Sequence, residues 1–165
     1  MSISLISRTR HHHALEHATI QILNRRYPNQ RFMGWSTPGG FYLYGHAPTA
    51  AVRSAVANAV ERLRNGEHHL AVHPRCGTNI VTAGTLVGVL SFLTMLPGDN
   101  RSRRGRLGLL IMLSTLTLIL SQPLGRLVQE HLTTDPNLPP GAAAQITAGQ
   151  TGDTPVHKVQ LVQGA

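Results

Sequence analysis

Apolar and polar positions alternate in four distinguishable ways along the chain. Between Arg10 and Arg26, Leu15, Ala18, Thr19 and Ile22 fall on one face at helical spacing, and Pro28 stops the helix. Arg31–Ser36 and Phe41–Gly45 are short runs of large apolar and aromatic residues separated by Thr37-Pro-Gly-Gly, the pattern of a β-hairpin turning at Pro38, Gly39 and Gly40. Pro48 opens a second helix whose apolar positions run through Ala51, Val52, Ala55, Val56, Ala59, Val60 and Leu63 to a stop at Asn65-Gly66. Glu67–His73 reads as a third strand. Residues 1–77 are therefore expected to form a small α+β domain of order α-β-β-α-β.

The pattern then changes. Asn79–Leu96 and Leu107–Leu124 are uncharged runs broken by Pro97-Gly-Asp-Asn, each near the length that crosses a bilayer. Gly84 and Gly88 form a small-x-x-x-small pair that permits close helix approach. Residues 78–125 are expected to be a two-helix transmembrane hairpin; the competing reading is a pair of buried helices, which the first domain is too small to cover. Residues 126–165 begin with a Pro-rich linker. Gln145–Ala148 and Val156–Val162 follow as a C-terminal β-hairpin expected to pack on the edge of the first domain's sheet.

Charge adds a partner. The formal net charge is +8, carried by arginine apart from Lys158, in a chain with only 4% aromatic and 13% charged residues. That balance suits phosphate-rich surfaces, and the uneven hydrophobicity selects the lipid bilayer over nucleic acid, whose recognition would interleave stacking aromatics with the arginines. A membrane-protein partner or a homo-oligomer is a further expectation. Arg101, Arg103, Arg104 and Arg106 crowd the loop between the apolar runs and would draw it to the cytoplasm, but the first domain carries nine arginines of its own and no export signal. The expected placement is the cell inner membrane, multi-pass, with the N-terminal domain cytoplasmic. The single Cys76 excludes an internal disulfide.

The chemistry concentrates in His11-His-His-Ala-Leu-Glu-His17. His13 and His17 are four apart on a helix, so two imidazoles point the same way, and Glu16 between them is placed to act as a general base. A second cluster, Glu67-His-His-Leu-Ala-Val-His-Pro-Arg-Cys, offers His73, Cys76 and Glu67 as further ligands. His13, His17, His73 and Cys76 together would close a tetrahedral zinc site. If Cys76 stays off, three imidazoles leave one position open for water, as catalysis requires. In the competing reading Cys76 is a small buried residue in a tight turn.

Two resemblances attach to these residues. His13-Ala-Leu-Glu-His17 resembles the inverzincin signature of inverted zinc peptidases, which implies zinc on both histidines and Glu16 as base over those five residues. More broadly, His-Ala-Leu-Glu-His-Ala-Thr, Gly40-Phe-x-x-x-Gly45, Arg62-Leu-x-x-Gly-Glu67 and His73-Pro-Arg-Cys-Gly-Thr-Asn79 resemble a bacterial membrane-protein family of unknown function found mainly in photosynthetic bacteria. That resemblance implies a membrane protein and supplies no activity. The expected function is an integral membrane protein with a histidine-based zinc-type site, a metal-dependent hydrolase or peptidase if it is an enzyme. The alternative is a non-catalytic scaffold or assembly factor with structural histidines.

Overall fold

The computed structural model describes residues 4–96 and 105–163. Its elements are α1 (Leu5–Arg26), β1 (Met33–Thr37), β2 (Gly40–Tyr44), α2 (Thr49–Arg64), a 3-10 turn (His68–Ala71), α3 (Gly77–Met95), α4 (Leu107–Val128), a π-helical turn (Gln129–Thr133), β3 (Ala142–Thr151) and β4 (Thr154–Gln163). The chain divides into two compact units, residues 1–73 with 130–165, and residues 74–129.

In the first unit the four strands form one antiparallel sheet of order β1-β2-β4-β3. β4 joins the hairpin of β1 and β2 by pairing Phe41 with Val159 and Leu43 with His157. The strand period of two then sorts the faces. Phe41, Leu43 and Val159 are buried against Leu15, Ala18, Leu23, Val52, Val56 and Leu63 of α1 and α2, while Met33 and Trp35 on β1 are exposed.

α1 starts earlier than its apolar stripe suggests, because Ser4 caps it: the Ser4 hydroxyl accepts from the Ser7 N–H at 3.2 Å. The third strand expected over Glu67–His73 does not form. Gly66 turns the chain at φ +88°, and His68–Ala71 winds into the 3-10 turn, with His68 and His69 exposed and Leu70 and Ala71 both buried. Two consecutive buried residues cannot share one face of a strand, and a tight helical turn accommodates them. β3 and β4 are also longer than the hydrophobic pattern marks, because they turn tightly through Gly152 at φ +57° and pair along their whole length.

In the second unit α3 packs on α4. Their close approach is at Gly125, where a Cβ would lie 2.4 Å from Asn79 Oδ1, and not at Gly84 or Gly88, where a Cβ would meet nothing within 4 Å. Asn79 and Gln129 are buried here: Gln129 Nε2 donates to Asn79 Oδ1 at 2.6 Å, and Asn79 Nδ2 donates to the Pro74 carbonyl at 2.9 Å. Each buried polar group of this pair thus finds a partner, as an apolar surrounding demands. Elsewhere the helices carry exposed Ile80, Val81, Phe92, Leu93, Ile111, Leu118 and Ile119. Gly77–Met95 and Leu107–Thr133 are long and apolar enough to cross a membrane. Arg101, Arg103 and Arg104, on which the expected orientation of the loop turns, lie outside the described residues.

Candidate metal centre

The histidine run lies on α1, and each ring has its own partner. His11 Nε2 faces the Asp135 carboxylate at 3.4 Å. His12 Nδ1–H donates to the Thr37 carbonyl at 2.9 Å, and its Nε2 accepts from the Leu161 N–H at 3.3 Å. Both nitrogens of His12 are thereby engaged in tying α1 to β1 and β4. Burial, opposed by the bond to Thr37, holds its pKa below the ordinary 6.5 and keeps the ring neutral. His12 is a structural histidine.

His13 and His17 are placed differently. His13 Nδ1 lies 3.0 Å from the Thr133 carbonyl and His17 Nδ1 lies 2.6 Å from the Ala71 carbonyl. A carbonyl only accepts, so both rings carry a proton on Nδ1, and each Nε2 points away from that carbonyl. A backbone carbonyl on the non-ligating nitrogen is the usual way a metal-binding imidazole is oriented. The two ring centroids are 4.3 Å apart, and a ring nitrogen of each lies within 4.8 Å of the other. His73, which the 3-10 turn returns toward α1, places its ring centroid 5.7 Å from that of His17. Gln21 holds the same turn by donating to the Leu70 and Val72 carbonyls at 2.8 and 3.1 Å.

Glu16 is buried on the side of α1 that meets β1. Its Oε2 accepts from the Ser36 hydroxyl at 2.5 Å, and Gly34 leaves it room, since a Cβ there would stand 2.2 Å from Oε1. Burial raises the Glu16 pKa above the ordinary carboxylate value, while the bond from Ser36 and the neighbouring His13 pull it back. This carboxyl immediately precedes His17 in the chain.

Glu67 is not gathered with these groups. Arg62 holds its carboxylate by two hydrogen bonds, one from Nε at 2.8 Å and one from Nη2, and this pairing keeps its pKa low. Cys76 belongs to the second unit, where it is buried and caps α3, its sulfur accepting from the Thr78 N–H at 3.4 Å. The histidine motif does not point to the Thr133 and Ala71 carbonyls, Ser36 or Gly34. Only the last two leave a trace in the sequence: two small residues at alternate positions of β1, opposite exposed Met33 and Trp35, mark a face on which something is pressed.

The family described as a domain of unknown function, DUF6391, matches residues 8–145. The chain belongs to this family. The DUF6391 match takes in α1 with its histidines, the 3-10 turn with His73, and Cys76, and it ends within β3. An uncharacterized protein of a Picosynechococcus species is 38% identical over 136 residues, which cover 74% of this chain and 63% of that protein. The chain thus spans less than two thirds of that relative's length. No solved structure matches it.

Proposed function

We propose that this DUF6391 protein is a membrane-anchored metalloprotein in which His13, His17 and His73 hold a zinc-type ion. The observation that carries the reading is the orientation of His13 and His17. Both give their Nδ1–H to a backbone carbonyl, the bond by which a ligating imidazole is commonly oriented. His73 adds a third imidazole, its ring centroid 5.7 Å from that of His17. Imidazole donors suit zinc over the hard cations. The test is the metal content of detergent-purified protein. Stoichiometric zinc is expected in the wild type and loss of it in a folded His13→Ala/His17→Ala protein; equal content in the two would sink the reading.

The membrane part rests on α3 and α4, which leave most of their large apolar side chains exposed. A soluble chain rarely exposes apolar surface on that scale. The inner membrane, with the eight-arginine first unit in the cytoplasm, is the placement that requires no export of a basic folded unit.

Hydrolysis is a second reading, favoured by Glu16 specifically. Zinc there would supply Lewis acidity, and Glu16, its pKa raised by burial, is the group able to accept a proton from water. With a fluorogenic peptide library as probe, Glu16→Gln should keep its metal and lose about 100- to 10,000-fold in turnover, the usual worth of a general base. A zinc-replete wild type without turnover of that library would leave the centre structural and the protein a scaffold.

A further inference from the structure

His13 is aimed by the Thr133 carbonyl, and that carbonyl needs an anchor of its own. Thr133 closes the π-helical turn Gln129–Thr133, and helix ends leave their last carbonyls without intrahelical donors. The chain beyond gives little help, since Pro136, Pro139 and Pro140 have no N–H to offer. Arg10, one helical turn before His13 on α1, supplies what is missing. Its Nη2 donates to the His131 carbonyl at 3.1 Å and to the Thr134 carbonyl at 3.0 Å, on either side of Thr133. In return the Asp135 N–H donates to the Arg10 carbonyl at 3.1 Å. The same segment therefore meets α1 at Arg10, at His11 through Asp135, and at His13 through Thr133.

We propose that Arg10 is the positioning residue of the metal centre: gathering two carbonyls on one guanidinium, it fixes the Thr133 carbonyl between them and so holds His13 in the tautomer and direction that ligation requires. A guanidinium suits this task because its donors lie in a rigid plane and its charge complements the negative end of the helix. The arrangement also links the centre to the segment that follows the second apolar helix, so metal loading and the order of residues 131–135 should rise and fall together.

The proposal rests on the metal reading, and the experiment separates the two. Cobalt(II) alone is titrated into the full chain in detergent, as wild type, His13→Ala, Arg10→Met and Arg10→Lys. Arg10→Met should weaken cobalt binding 10- to 100-fold, the usual cost of removing an orienting group, and shift the visible cobalt spectrum. Arg10→Lys, able to reach one carbonyl but not both, should fall between it and the wild type. Imidazole nitrogen NMR of the metal-free chain gives a second readout that needs only the lysine variant to fold. The Nδ1–H form of His13 should dominate in the wild type and mix with the Nε2–H form in Arg10→Lys. Wild-type affinity and spectrum in Arg10→Met, or an unchanged His13 tautomer in Arg10→Lys, overturns the role of Arg10 while the metal site stands. Cobalt uptake that ignores His13→Ala overturns both.

Discussion

Zinc added to metal-stripped protein is expected to stabilise the first unit by about 4 kcal/mol when free zinc stands about a thousandfold above its dissociation constant. The effect should vanish in His17→Ala. The reason lies in which elements the ligands join. His17 is on α1, and its Nδ1–H is held by the Ala71 carbonyl at the end of the 3-10 turn. His73 stands two residues beyond that carbonyl. An ion shared by His13, His17 and His73 therefore bridges α1 to a residue 56 positions beyond His17 along the chain. Such a bridge exists only in the folded state, so binding adds directly to folding stability. Urea unfolding of the stripped and zinc-loaded chain, followed by the fluorescence of Trp35, measures it. Equal midpoints for the two forms would mean that no such bridge is made.

Phe41→Ala is expected to cost about 3–5 kcal/mol, the range for emptying a fully packed aromatic site. Phe41 is fully buried and sits mid-sheet, paired with Ser36 on one side and Val159 on the other. Its ring belongs to the core that also holds Leu15 and Ala18, on the same helix as His13 and His17. Losing it therefore loosens α1 as well as the sheet, and metal affinity should fall with stability. Trp35→Ala, which removes an exposed ring, should change stability by no more than about 0.5 kcal/mol. Paired unfolding curves check both, with far-UV circular dichroism replacing tryptophan as the probe for Trp35→Ala. Comparable losses in the two variants would contradict the assignment of the sheet's faces.

The elements fixed by local periodicity were legible in the sequence. α1, α2, the β1–β2 hairpin and the two apolar helices follow from spacing, turn residues and proline positions, because these act over a few residues. Where two local signals competed, the outcome was set by contacts distant in sequence. Glu67–His73 has the composition of a strand, yet Leu70 and Ala71 are buried side by side beneath α1 and the segment winds into a turn. The insertion of β4 beside β2 places residue 159 against residue 41, a pairing no local pattern states, although an exposed sheet edge invites it.

The candidate centre was legible to the same extent. Helical spacing alone brings His13 and His17 together. It cannot separate them from His11 and His12, which the structure assigns to Asp135 and to Thr37 with Leu161. Nor can it show that Glu67 is engaged by Arg62, since that depends on the chain reversing at Gly66. The carbonyls of Ala71 and Thr133 have no sequence signature, because any residue but the fold supplies a carbonyl equally well.

X-ray absorption at the zinc edge of the loaded, detergent-purified chain tests the central claim most directly. The account predicts a nitrogen shell near about 2.0–2.1 Å with the multiple scattering of at least two imidazoles, both lost in His13→Ala/His17→Ala. A shell of oxygen donors without imidazole scattering, unchanged in that variant, would contradict it.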